Sequence, residues 1–219
     1  MIHCLGGRVL KPELLDSLPE PQARASLDDL TRINRHWGGH ATLRRLLAEN
    51  VVGDFSLLDV GAASGDMGAC VRRWYPGARV TSLDRIVSHL TRAAAPRVAA
   101  DAFALPFPPK SFDYVFCSLF LHHFTDEEIV RLLAGFAGVA RKKVLAIDLE
   151  RNPVAYYFLP WTKWIFGWDA VTVNDGPISV EAAFRARELA ELAARAGFKN
   201  VRARAYRPAF RVALAGATF

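Results

Sequence analysis

From Phe55 onward, short apolar runs of strand length alternate with stretches of helical spacing, and this alternation limits the fold more than any other feature of the chain. Residues 55–60, 79–83, 112–117 and 144–148 have strand length and are bounded by turn residues, whereas 66–75, 86–94 and 126–140 carry helical spacing. Strands joined through helices run parallel, with right-handed crossovers that lay helices on both faces of the sheet. The far end of the chain reads differently. A helical stretch at 180–196 is followed by strands at 201–206 and 210–214, joined only by Arg207-Pro208-Ala209. So short a connection permits only an antiparallel pair. The expected fold class is therefore α/β: a Rossmann-like, seven-stranded, mostly parallel sheet with an antiparallel last strand and helices on both faces.

In such a sheet a ligand lies beyond the carboxyl ends of the strands, at the switch point. The first of these ends reads Asp59-Val60-Gly61-Ala62-Ala63-Ser64-Gly65-Asp66. Its glycines allow a sharp turn and close backbone approach, and the helix that begins near Asp66 offers free N–H groups to an anionic ligand group. Asp84-Arg85 follows the second strand, 19 residues beyond Gly65, where a carboxylate can accept both hydroxyls of a ribose. Asp101-Ala102-Phe103 follows Val98-Ala99-Ala100, and an Asp there can accept from an exocyclic amine of adenine. Three acidic residues at three successive strand ends describe a nucleoside site. A dinucleotide fold is the rival, but its G-x-G-x-x-G places glycine against a pyrophosphate where this chain has Ala63.

These residues resemble the class I S-adenosylmethionine-dependent methyltransferases of the ubiquinone/menaquinone-biosynthesis kind (methyltransferase type 11), from about Asn34 to the C-terminus. Asp59 to Asp66 is similar to the family's D-x-G-x-G-x-G loop with Ala63 in place of the middle glycine, and Ser111 to Ser118 with Leu121-His122-His123-Phe124 is similar to its fourth-strand signature. The resemblance implies that S-adenosylmethionine is the cofactor and S-adenosylhomocysteine the product. It implies cofactor contacts from Asp59, Gly61, Ala62, Ala63, Gly65, Asp84, Arg85, Asp101, Ala102, Phe103, Cys117 and Ser118. On this reading one domain spans 1–219: an N-terminal arm and lid helices (1–50), a cofactor-binding core (51–150), an aromatic-rich acceptor-site insertion (151–180), and a last helix with the C-terminal strand pair (181–219). More narrowly, Asn34-Arg35-His36-Trp37-Gly38-Gly39-His40 and Asn174-Asp175-Gly176-Pro177-Ile178-Ser179-Val180 resemble a bacterial subgroup. That subgroup's implied activity is O-methylation of phenolic, polyketide-derived lipids.

Methyl transfer from a sulfonium is an in-line displacement, and a hydroxyl acceptor gains from a base that takes its proton. His122, His123 and Asp148 stand at the ends of the fourth and fifth strands as candidates, with loop capping as the competing role. Residues 156–168 concentrate Tyr, Phe and Trp, which suits an apolar acceptor pocket, a membrane surface or a partner contact.

The net charge of +6 comes from Arg spread along the chain, without the patch that a nucleic-acid binder concentrates. Cys4, Cys70 and Cys117 are widely spaced, without a Cys/His cluster, so no metal site is expected and the setting reads as reducing and cytoplasmic. Nothing reads as a signal peptide or a membrane span, which leaves peripheral contact at a membrane surface as an option. The function expected is methyl transfer to the hydroxyl of a small hydrophobic acceptor. C-methylation of a quinone precursor, a non-catalytic S-adenosylmethionine-binding module and an NAD-dependent oxidoreductase are the alternatives.

Overall fold

Seven strands form one sheet in the order β3-β2-β1-β4-β5-β7-β6 in a computed structural model that describes residues 6–218, with the side chains of Asp16, Glu20 and Pro21 left undescribed. Cys4 and the start of the 1–19 arm lie outside the described residues. The strands are β1 (Ser56–Val60), β2 (Arg79–Asp84), β3 (Arg97–Ala99), β4 (Phe112–Ser118), β5 (Ala140–Leu149), β6 (Lys199–Tyr206) and β7 (Arg211–Ala217). β1 to β5 pair parallel, and β7 alone runs against the others, between β5 and β6. The expected C-terminal antiparallel pair is therefore β6 and β7. Strand order reverses between β1 and β4, which fixes the ligand crevice beyond their carboxyl ends.

Alternate residues along each strand point to opposite faces. Leu58, Val60, Val115, Cys117, Val144 and Ala146 pack beneath α4 (Asp126–Val139) and α7 (Ala186–Arg195). Leu57, Tyr114, Phe116, Leu145 and Ile147 pack beneath α2 (Gly39–Asn50) and α3 (Asp66–Trp74). All five residues of β1 are buried, as in a strand covered on both faces. The remaining helices, α1 (Glu20–His36), α5 (Pro153–Phe166) and α6 (Ala170–Ala182), pack on one another. No helix among the described residues is long and apolar enough to cross a membrane.

Two expected helices are corrected. Residues 86–94 hold only a 3-10 turn at His89–Arg92. The Asp84 carboxylate captures the Ile86 N–H, and Arg97 caps the Leu90 and Thr91 carbonyls, so the chain's polar groups are satisfied without helix. The stretch at 180–196 breaks at 183–185 into the end of α6 and the whole of α7. Fully buried Phe184 bridges to Glu150 and exchanges backbone bonds with Leu149 and Arg151, and Glu188 then caps the Arg185 N–H at the start of α7.

The two short motifs 34–40 and 174–180 hold the N-terminal segment in place. Gly38, with φ +90°, lies so close to Ala209 that an added Cβ would fall 2.3 Å from the alanine methyl. The Trp37 ring meets Phe158, Phe166 and Trp168 edge-on at centroid distances of 5.6, 4.9 and 5.2 Å. His40 Nε2 bonds Asp66 at 2.8 Å, joining α2 to the first turn of α3. Asp175 accepts the Leu14 and Leu15 N–H groups, both at 3.0 Å. Arg8 donates to the Phe124 and Ala182 carbonyls at 2.8 Å and stacks over Phe184. The arm is thus a strap lying across α6 and the start of α4.

Candidate active site

A cavity of about 1060 Å³ opens beyond the carboxyl ends of β1, β2, β4 and β5, walled by α1, α5, α6 and the strap. Ligand pockets run to about 1,000 Å³, so this one has room for a cofactor and an acceptor together.

At the β1 end, Gly61 has φ +67°, and a Cβ there would lie 2.5 Å from the Phe120 ring. Ala63 also stands in the left-handed region, at φ +44°, where a Cβ is strained and glycine is not. Ala63→Gly is therefore expected to stabilise the protein by up to about 1 kcal/mol, the relief of strain exceeding the added chain entropy. A thermal melt checks this, and a lowered melting temperature would contradict it.

The strained loop is held by Asp84. Its Oδ2 accepts the Ala63 N–H and its Oδ1 the Ile86 N–H, both at 2.9 Å, leaving each oxygen a lone pair for the cavity. Asp101 Oδ1 accepts the Phe103 N–H at 2.9 Å, and Oδ2 makes no bond among the described residues. Gly61, Ala63, Asp84, Arg85, Asp101, Ala102 and Phe103 all line the cavity. Asp59, Ala62, Gly65, Cys117 and Ser118 do not. Asp59 is buried beneath the loop against Gly68, and burial brings its pKa up to about 7 against the pull of Arg72. Gly65 is the N-cap of α3. Burial likewise pushes up the Cys117 thiol, and Ser118 Oγ is buried without a partner.

Across the cavity, His122 is buried between two carboxylates. Nδ1 bonds Asp148 Oδ1 at 2.6 Å, and Nε2 lies 3.5 Å from Glu13 Oε1. Asp148 is fixed further by the N–H groups of Leu121 and Leu149. Burial alone would lower the His122 pKa, but Asp148 and then Glu13 outweigh it and bring it up to about 10. Burial would raise both acids, and the His122 charge holds each below its usual range. Asp148 does not itself line the cavity, whereas His122, His123 and Glu13 do.

Sequence reasoning missed Glu13. It arrives on the strap, where Ser179 Oγ donates to it at 2.6 Å, and only the facing pair Asp175 and Ser179, four residues apart on α6, hinted that the motif holds something. It also missed Arg211, a buried arginine on the cavity wall at the start of β7. Burial lowers the pKa of Arg211 to about 10, against the opposing pull of Asp148. The expectation that no metal-type cluster forms needs amending. Glu13, His122 and His123 bring ligand atoms within 4.8 Å, as do His40, Asp66 and Cys70. Glu13 and His40 join the two groups from far along the chain, which spacing could not reveal.

Most of the aromatic segment lies on α5, whose Ala155, Phe158 and Leu159 line the cavity, while Trp161 and Trp164 face outward, 74% and 88% exposed. Spacings of three and four residues place the first set on one helical face and rotate the second away.

The strand order and the switch-point crevice are those of the Rossmann-like methyltransferase fold. Residues 58–152 match the methyltransferase domain family. The O-methyltransferase pgmB of Aspergillus terreus is 28% identical over 188 residues, 77% of this chain and 48% of that protein, so the chain spans about half the length of that relative. A structure from Nostoc punctiforme shares the fold over 98% of this chain and 65% of that one, with TM-score 0.66 and 18% identity. Human N-acetylserotonin methyltransferase, solved with S-adenosylmethionine, matches over 93% of this chain and 61% of that one, with TM-score 0.60 and 18% identity.

Proposed function

We propose that the protein transfers a methyl group from S-adenosylmethionine to a hydroxyl of a small, largely apolar phenolic acceptor. One observation carries the reading: His122, held from behind by Asp148, faces the same cavity as the Asp84-held loop. The residues at the loop fit the cofactor. Asp84 keeps lone pairs for two ribose hydroxyls, Asp101 Oδ2 is free for an amine, and Gly61 leaves the space that a side chain would fill. When bound, the cofactor supplies an electrophilic methyl on a sulfonium.

The protein's part is alignment, exclusion of water and handling of one proton. Asp148 fixes the His122 ring through Nδ1, which leaves Nε2 as the atom that meets the acceptor proton. At rest two carboxylates keep His122 protonated, so it serves as a base only after giving up that proton. The Asp148 carboxylate then stabilises the imidazolium that re-forms when the acceptor hydroxyl is deprotonated. Phe158 and Leu159 offer an apolar wall to the rest of the acceptor. A base at a hydroxyl favours O- over C-methylation, and an intact dyad argues against a binding module without turnover. The likeness to the O-methyltransferase pgmB supports O-methylation, and the two short motifs support the phenolic, polyketide-derived subgroup.

Phenols with increasing alkyl tails test the reading. Each CH₂ buried contributes about 0.8 kcal/mol, so the apparent KM is expected to fall about fourfold per carbon until the cavity is filled. A flat response would contradict the apolar wall. The displacement needs no Lewis acid, so turnover is expected to survive chelation. Activity lost to a chelator and restored by a divalent cation would instead place that cation among Glu13, His122 and His123.

A further inference from the structure

Arg211 opens β7 on the cavity wall and is only 5% exposed. Among the described residues its Nε has no partner, and the guanidinium makes one long bond, 3.4 Å from Nη1 to the Ala209 carbonyl. The other buried arginines are neutralised: Arg151 by Glu188, and the Arg8 side chain by Asp126. Asp148, whose field Arg211 feels, already spends its oxygens on His122 and backbone N–H groups. A guanidinium removed from water and left without an anion is costly, and its planar fork suits a carboxylate held by two parallel bonds.

We propose that Arg211 receives a carboxylate of the acceptor, so that the acceptor is an acid-bearing phenol. Its hydroxyl lies towards His122 and its apolar remainder towards Phe158 and Leu159. This rests on the methyl-transfer reading above and names the acceptor class within it. The methionyl carboxylate of the cofactor is the other possible source of the anion. In the sheet order, however, β4 and β5 separate β7 from the β1 loop. Three spacings of about 4.8 Å put some 14 Å between Arg211 and the loop strand.

The test compares kcat/KM for an ortho-hydroxybenzoate carrying a pentyl tail with that for the phenol it yields on decarboxylation. Wild-type protein is expected to favour the acid by about 10- to 150-fold, the range for hydrogen bonds to a charged group. Arg211→Met should abolish that preference and Arg211→Lys retain part of it. Calorimetric affinity for S-adenosylhomocysteine should stay within a few-fold of wild type in both variants. No preference in the wild type, or a preference that survives Arg211→Met, overturns the proposal. Loss of S-adenosylhomocysteine affinity in Arg211→Met also overturns it, by assigning the anion to the cofactor. Turnover of the neutral phenol alone refutes the acid but upholds methyl transfer, whereas turnover of neither compound refutes both.

Discussion

His122→Ala is expected to lower kcat by about 10²- to 10⁴-fold, the range of a positioned general base, with little change in cofactor affinity. The reason is local: Nε2 is the one basic atom of the buried dyad left to meet an acceptor, and Asp148 holds the ring from its other side. The pH dependence gives a sharper signature. His122 has a pKa raised to about 10 by Asp148 and Glu13, so the catalytically competent neutral form grows as pH rises. The rate should therefore climb on the alkaline side of the ordinary histidine value of about 6.5. Glu13→Gln removes one of the two carboxylates that keep the proton on the ring, which lowers the His122 pKa and moves that climb to lower pH. His123 and Arg211 also border the cluster. A profile flat from neutral pH upward, or one that Glu13→Gln leaves in place, would remove His122 from the base role.

Asp84→Ala is expected to weaken S-adenosylmethionine by about 10- to 150-fold, measured by calorimetry. Two losses coincide. The ribose hydroxyls lose a charged acceptor, and the Ala63 and Ile86 N–H groups lose the carboxylate that pins the loop. Because Ala63 stands at a positive φ, the loop relaxes once the pin is gone. Asp84→Asn keeps one carbonyl oxygen for those bonds and should fall between the two. Unchanged affinity in Asp84→Ala would mean that the cofactor lies elsewhere.

Local pattern made much of this legible. Six of the seven strands are legible as apolar runs between turns, whereas three-residue β3 is not, and the short connection Arg207-Pro208-Ala209 sets the direction of β7 against β6. Asp84 and Asp101 were readable because strand ends in this fold face the crevice. What escaped depended on distance along the chain. Glu13 meets His122 across more than a hundred residues, and nothing near it in sequence marks it out. The split at 183–185 arises from Phe184 pairing beside Leu149 and Arg151, a tertiary contact that overrides a continuous helical pattern. Trp161 and Trp164 pointed to a pocket by composition, whereas helical phase turns them outward.

O-methylation is tested by following a carbon-13 methyl group from labelled S-adenosylmethionine in the presence of a pentyl-tailed phenol. A new methoxy carbon signal is expected that requires the phenol and grows with S-adenosylhomocysteine release. A methyl signal on ring carbon, or cofactor bound with no transfer to any phenolic acceptor, would contradict it.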